Sequence, residues 1–398
     1  MISVSRLLCG AKYYGDSLRY KQDAGCQRDG TTAGHGPVVV WNTTRTCNLR
    51  CLHCYSNSDD RVYENELSTI EAKKFIDDLA SFNVPVILFS GGEPLLRRDF
   101  FELADYARSK NIRCTLSTNG TLITPEVAGQ IKEVGISYVG ISLDGIGDSN
   151  DRFRGRKGAF DAALSGIRAC RSIGQRVGLR FTINRHNLDQ LPAIFNLIED
   201  EDIPRVCFYH LVYSGRGSKM LHEDVSHNQT RQAMDLIMER TIDYHRRGLD
   251  KEILTVDNHA DGVYIYLTLQ NTDPDRAERA RQLLTANGGN RSGIAIGAVD
   301  WFGNIYPDQF TRQHLLGNVR EKSFREIWQN PGHPIMHGLK ERKPLLKGRC
   351  ANCRWLNMCN GNFRTRAEAV YGDFWAPDPA CYLTDEETGT AGRAYDRR

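Results

Sequence analysis

Between Pro37 and Ser214 six short apolar or β-branched runs recur, each bounded by turn residues and separated by longer stretches. The runs are Pro37–Trp41, Pro85–Ser90, Arg113–Thr118, Tyr138–Leu143, Val177–Ile183 and Arg205–Val212, and each reads as a strand. The stretches between them carry helix signals. Ser68 with Glu71 forms a capping box, followed by Ala72, Phe75, Ile76 and Leu79 at helical spacing. Asp99 with Glu102 marks a second start, and Thr124 before Pro125 a third, with Val127, Ile131 and Val134 on one face and Gly135 beyond the end. Leu191, Ile194, Phe195 and Ile198 mark another. Units of this kind give parallel strands with right-handed crossovers, hence an α/β fold. An open doubly wound sheet and a partial barrel both satisfy the pattern. In either, the chemistry lies at the carboxyl ends of the strands.

Beyond about His227 the alternation is lost. Helical stretches are expected near Thr230–Arg247 and Asp273–Ala286, around an irregular piece, Asp257-Asn258-His259-Ala260-Asp261-Gly262. Gly288-Gly289 reads as a hinge. A hairpin is expected over Gly293–Val299 and Ile305–Phe310, then a helix near Ser323–Trp328 and a cysteine-rich tail. The expected division is an N-terminal extension at 1–36, the βα region at 37–225, a helical linker or substrate region at 226–289, a small α+β domain at 290–386, and a frayed tail at 387–398.

Composition excludes several classes. With 52 Lys and Arg against 49 Asp and Glu, the net charge of +3 gives no strong field for nucleic acid. The apolar runs are far shorter than a membrane span needs. Leu7-Leu8-Cys9-Gly10 faintly resembles a lipoprotein cleavage site, but Ser3, Ser5 and Arg6 interrupt the apolar run that a signal requires, so the cytoplasm is expected. Twelve cysteines in 398 residues are therefore not a small-domain disulfide framework.

Their spacing is informative. Cys47, Cys51 and Cys54 form C-x3-C-x2-C directly after the first strand, where the positional rule puts a site. Three thiolates can hold three irons of a 4Fe-4S cluster and leave the fourth open; a zinc site or three unrelated cysteines are the alternatives. Gly91-Gly92-Glu93-Pro94 ends the second strand, where two glycines let backbone approach a ligand and a carboxylate can accept from an ammonium group. Ser117-Thr118-Asn119-Gly120 and Ser142-Leu143-Asp144-Gly145 end the third and fourth. A second set, Cys350, Cys353, Cys359 and Cys381, gives C-x2-C-x5-C-x21-C, a four-ligand and closed site. For Cys114, Cys170 and Cys207 plain packing is expected; Cys9 and Cys26 have no assignment.

Together these motifs resemble those of radical S-adenosylmethionine (SAM) enzymes. The resemblance implies a (β/α)6 partial TIM barrel, a 4Fe-4S cluster chelated by SAM, and one-electron cleavage of SAM to a 5′-deoxyadenosyl radical that abstracts hydrogen from substrate. It also implies roles: Cys47, Cys51 and Cys54 hold the cluster, and Gly91, Gly92 and Glu93 face the methionyl amino group. Ser117, Asn119 and Ser142 face the ribose. Arg154 pairs with the methionyl carboxylate, while Tyr55, with Leu211 or Val212, packs on adenine. His53 is expected to pack, with a role near the cluster as the alternative. The four later cysteines resemble those of an auxiliary-cluster (SPASM or twitch) domain and imply one auxiliary 4Fe-4S cluster, with zinc, or a ligand exchange with His314 or Asp378, as alternatives. A ferredoxin or flavodoxin is the implied electron donor.

Pro37 to Cys47, Cys359 to Ala367, Leu8-Cys9-Gly10 and Trp375 to Pro379 further resemble the subgroup acting on siroheme-derived tetrapyrroles. That implies loss of acetate side chains from 12,18-didecarboxysiroheme to give Fe-coproporphyrin III, or, as in haem d1 synthesis, loss of propionates. For so carboxylate-rich a substrate Arg216, Arg312, Arg364 and Arg366 are candidate contacts, and His259 a candidate iron ligand or proton carrier. A peptide-modifying enzyme of the same architecture and a non-catalytic iron–sulfur or zinc protein are the alternatives.

Overall fold

A computed structural model describes residues 1–20, 35–330 and 332–392; Cys26 lies outside them. Eleven strands form one sheet: β1 Ile2–Ser3, β2 Val38–Asn42, β3 Val86–Ser90, β4 Arg113–Thr118, β5 Val139–Ser142, β6 Val177–Ile183, β7 Arg205–His210, β8 Glu252–Val256, β9 Ile296–Val299, β10 Asn304–Tyr306 and β11 Gly317–Asn318. Their order is β1-β8-β7-β6-β5-β4-β3-β2-β9-β10-β11. From β2 to β8 all neighbours are parallel and in chain order. A doubly wound sheet would reverse direction; this one advances one way throughout, as a partial barrel does.

The helices start where the sequence predicts. The capping box at Ser68 is complete and opens a helix over Thr69–Ser81 whose Ala72, Phe75, Ile76 and Leu79 are buried. Thr124 caps Pro125–Glu133 through the Val127 amide. Asp99 precedes Phe100–Ser109 but makes no side-chain cap; its carboxylate pairs with Arg97 and Thr69 instead.

The region at 226–289 differs from a helical linker. Glu252–Val256 is a seventh parallel strand on β7, with all five residues buried. The piece after it opens a helix over Ala260–Thr272, buried on nearly every side, which is why its sequence shows no amphipathic stripe. Gly288 and Gly289 adopt left-handed φ of 69° and 68°. Gly288 caps the Pro274–Asn287 helix, and a Cβ on Gly289 would stand 2.3 Å from the Cys359 carbonyl, so the pair ends a helix and meets the cysteine tail and is not a hinge.

The small domain is also joined more closely than its sequence shows. β9 pairs in parallel with β2, so the hairpin continues the barrel sheet. One core runs from Ile2, Val4 and Leu7 through the barrel to Phe324, Trp328 and Met336. The tail is ordered as far as described: Asp385–Thr388 is a capped helix, and Glu387 pairs with Arg231 at 2.7 Å. Cys114, Cys170 and Cys207 are buried packing residues.

Candidate active site

The loop after β2 brings Cys47, Cys51 and Cys54 to one cavity at the carboxyl end of the sheet. Backbone bonds hold this loop from several sides. The Cys47 amide donates to the Asp59 carbonyl at 2.7 Å, and the Arg50 and Leu52 amides to the carbonyls of Arg154 and Phe153. Arg216 donates Nε to the Cys51 carbonyl at 2.7 Å and Nη1 to Ser58 O at 2.8 Å. Burial pushes the Cys47 and Cys51 thiols up, which disfavours a thiolate with no cation beside it.

The end of β3 locks onto the same loop. The Gly92 amide donates to Thr44 O at 2.7 Å and the Glu93 amide to Thr46 O at 2.9 Å. A Cβ on Gly92 would sit 2.1 Å from the Thr46 carbonyl oxygen. The two glycines line the cavity, but the close approach that demands them is to the cysteine loop's backbone.

Glu93 departs from its expected role. Its side chain is fully buried and does not line the cavity. The carboxylate accepts from Thr118 Oγ1 at 2.7 Å, the Asn119 amide at 2.8 Å and the Leu95 amide at 3.2 Å, tying the ends of β3 and β4 together. Burial pushes its pKa up to about 7 despite those donors.

Ser117, Asn119, Ser142, Tyr55, Leu211 and Val212 all line the cavity. Tyr55 is fixed by its hydroxyl to Asn42 Oδ1 at 2.8 Å and Ser90 Oγ at 3.0 Å, its ring 5.1 Å from that of Phe310. Asn119 Nδ2 donates to Asn48 Oδ1 at 2.8 Å. Arg154 is buried, 2.5 Å from Asp144 and 3.6 Å from the Cys51 sulfur. His53 also faces the cavity, held 3.5 Å from Asp144, and burial brings its pKa down to about 4.

The expected substrate residues are placed otherwise. Arg216 reaches the cavity, yet its guanidinium serves the cysteine loop. Arg312 stacks over Trp301 at 4.6 Å and pairs with Asp300. Arg364 is buried among the carbonyls of Gly361, Phe374 and Ala376. Arg366 is fully buried, paired with Asp378 at 2.8 Å and donating to the carbonyls of Leu211 and Asp257. Arg364 and Arg366 are spent on buried carbonyls and a carboxylate, whereas among the described residues Arg216 Nη2 and Arg312 Nη1 have no hydrogen-bond partner. His259 does not line the cavity; its amide bonds Asn362 and its Nε2 lies 3.5 Å from the Met1 amine. Burial holds its pKa well below the usual histidine value.

In their place the cavity gathers Arg180, Tyr209, His210, Asp257 and Gln309, which sequence reasoning missed. Arg180 lies 4.9 Å over the Tyr209 ring and donates to Ser117 Oγ. His210 pairs with Asp261 at 2.9 Å. The signal that would have found Arg180, Tyr209 and His210 was their position on the carboxyl halves of predicted strands five and six.

Cys350, Cys353, Cys359 and Cys381 line a second, apolar pocket with Trp355, Leu356 and Leu383. Burial pushes Cys359 well up and Cys381 up to about 12. His314 pairs with Glu368, and Asp378 with Arg366, so neither is offered to this pocket. Among the described residues no three His, Cys, Asp or Glu side chains are gathered closely enough to grip a single ion. The fit to clusters rests on thiols that share a pocket.

The radical SAM superfamily model matches residues 41–198, and that of the iron–sulfur cluster-binding SPASM domain matches 296–354. The Fe-coproporphyrin III synthase of Methanosarcina barkeri is 58% identical over 395 residues, 98% of this chain and 99% of that protein. The chain belongs to the radical SAM superfamily. The pre-heme d1 synthase of Dinoroseobacter shibae is 45% identical over 357 residues, covering 89% of this chain and 88% of that one. Streptococcus suis SuiB, solved with S-adenosylmethionine bound, shares the fold at a TM-score of 0.69 and 15% identity, over 88% of this chain and 78% of that one. This radical SAM enzyme uses a 4Fe-4S cluster and SAM, and its SPASM domain carries an auxiliary iron–sulfur cluster. Among the described residues no helix is long and apolar enough to cross a membrane.

Proposed function

We propose that this enzyme acts in haem biosynthesis, removing acetate side chains from 12,18-didecarboxysiroheme to give Fe-coproporphyrin III. The observation that carries the reading is the 58% identity to a Fe-coproporphyrin III synthase along nearly the whole of both chains.

Cys47, Cys51 and Cys54 hold the catalytic cluster, and Cys350, Cys353, Cys359 and Cys381 the auxiliary one. When bound, the catalytic cluster and SAM supply a 5′-deoxyadenosyl radical. The protein's own work is positioning. The backbone of Gly91 and Gly92, and Arg154 beside Cys51, meet the methionyl end of SAM. Ser117, Asn119 and Ser142 meet the ribose, while Tyr55, Leu211 and Val212 form the adenine wall. Arg180, half-buried and stacked on Tyr209, replaces the expected arginines as the cation for a substrate carboxylate. The hydrogen to be abstracted is that of an acetate methylene, and an auxiliary cluster held by Cys350, Cys353, Cys359 and Cys381 would supply redox chemistry. A ferredoxin or flavodoxin supplies the first electron, and the reaction runs in the cytoplasm.

Anaerobic incubation of the reconstituted, reduced enzyme with didecarboxysiroheme and with siroheme, read by mass spectrometry, tests this. Loss of acetate from didecarboxysiroheme is the expected result; 5′-deoxyadenosine without any change in the tetrapyrrole overturns it. Loss of propionate carbon instead would establish the second reading, which the 45% identity to pre-heme d1 synthase supports.

A further inference from the structure

His210 is the last residue of β7, and its ring lines the cavity that contains the three thiols. Its Nε2 stands 2.9 Å from Asp261 Oδ2. The other carboxylate oxygen, Oδ1, accepts from the Tyr382 hydroxyl at 2.8 Å. Asp261 is wholly buried, and these two partners satisfy its side chain.

The contact selects a tautomer. A carboxylate that accepts from the ring puts N–H at Nε2, and in the neutral ring the lone pair then stands at Nδ1. Among the described residues Nδ1 has no hydrogen-bond partner. It also differs from Nδ1 of His53 and of His259, both of which are sealed away from any partner. An imidazole that donates one N–H to a buried carboxylate and turns the other nitrogen to a cavity has the outer support of a metal-ligating histidine. The thiol set is complete without it. What remains in this cavity for a neutral nitrogen ligand is iron carried in by the substrate.

We propose that His210 Nδ1 is an axial ligand to the iron of a tetrapyrrole bound in this cavity. Asp261 and Tyr382 are positioning residues that fix the tautomer and aim the ring. The inference rests on the reading of the substrate as an iron tetrapyrrole. It also moves the iron-ligand role from His259 to a histidine that the same segment orients: Asp261 lies two residues after His259, on the first turn of the helix following β8.

The test uses the full chain with both clusters reconstituted, without SAM. It is titrated anaerobically with didecarboxysiroheme and with its metal-free counterpart, with optical and electron paramagnetic resonance spectra of the bound ferric form. Wild type is expected to bind the iron tetrapyrrole with a nitrogen-ligand signature. His210→Ala should lose that signature and bind the iron form at least about 10-fold more weakly, with no change toward the metal-free form. Added imidazole should restore the signature. Asp261→Asn keeps the ring but offers an amide to Nε2, and should weaken binding of the iron form about 10- to 100-fold with a spectral shift in the same direction. Iron content and circular dichroism report whether each variant has folded; should His210→Ala not fold, Asp261→Asn decides alone. An unchanged spectrum and affinity in the folded variant overturns the proposal. So does a wild type that binds both tetrapyrroles with the iron in its free-solution state, and that result leaves the substrate reading standing. A wild type that binds neither tetrapyrrole overturns the substrate reading, and the axial ligand with it.

Discussion

At the scale of single residues, several side chains named by motif act at one remove from the chemistry. Glu93 belongs to a motif expected to face SAM, yet its carboxylate joins two strand ends. Gly92 is required because backbone meets backbone. Gly92→Ala would drive a Cβ into the Thr46 carbonyl, 2.1 Å away, and displace the cysteine loop. Purified Gly92→Ala is expected to hold about half the iron of wild type, since only the auxiliary site would load; full iron content would contradict this account. Arg366 makes the same point with a different cost. Arg366→Ala leaves Asp378 charged and buried without its ion pair, with only the Phe363 and Ala380 amides donating to it, and frees the carbonyls of Leu211 and Asp257. Stability should fall by about 3–5 kcal/mol, measured by chemical denaturation. A substrate-binding arginine would instead raise KM with stability intact. Single-residue motifs name chemistry-bearing types; whether a side chain points at a ligand or at its neighbours depends on contacts from distant segments.

At the scale of elements, local signals translate well. Ser68 and Glu71 cap the Thr69–Ser81 helix as their spacing predicts, and Arg320 reinforces Glu71 at 2.7 Å. The Arg320 guanidinium and the Ser68 amide bring the Glu71 pKa down to about 2. A depressed carboxylate pKa stabilises the fold above its unfolded value and ceases to do so as pH falls through the folded one. Glu71→Ala should therefore cost about 0.5–1 kcal/mol at neutral pH. The gap to wild type in thermal melts should close between pH 4.5 and about 2. Gly129 lies inside the Pro125–Glu133 helix, and a methyl group added there would meet nothing within 4 Å. Gly129→Ala should therefore stabilise by about 0.5–1 kcal/mol, seen as a higher melting temperature. What local signals miss is equally physical. β8 and the Ala260–Thr272 helix are buried on nearly all sides, and a segment without a solvent face shows neither alternation nor an amphipathic stripe.

At the scale of the whole molecule, the two thiol sets belong to one continuous structure: β9 extends the barrel sheet, and Gly289 meets the Cys359 loop. Tyr382, beside Cys381, reaches Asp261, which in turn holds His210 at the main cavity. Cys353→Ala should remove the auxiliary cluster and leave the barrel cluster in place, so that 5′-deoxyadenosine still forms while tetrapyrrole product is lost. Full-rate product formation in Cys353→Ala would remove electron exchange from the auxiliary cluster's role. The sequence by itself determined the α/β class, six of the seven parallel barrel strands, both cysteine sets and the strand ends where chemistry gathers. Those features are local in spacing or follow from periodicity, and a linear chain records both. Only the tertiary structure decided which arginines are spent on buried partners, which histidines face the cavity and how the two regions join. Each of those depends on partners tens to hundreds of residues away: Arg366 with Leu211, Asp261 with His210, β9 with β2. A ligand's neighbours are set by that distant packing: the strand positions of Arg180 and His210 are written in the sequence, but that they share one cavity was decided only when the strands stood side by side.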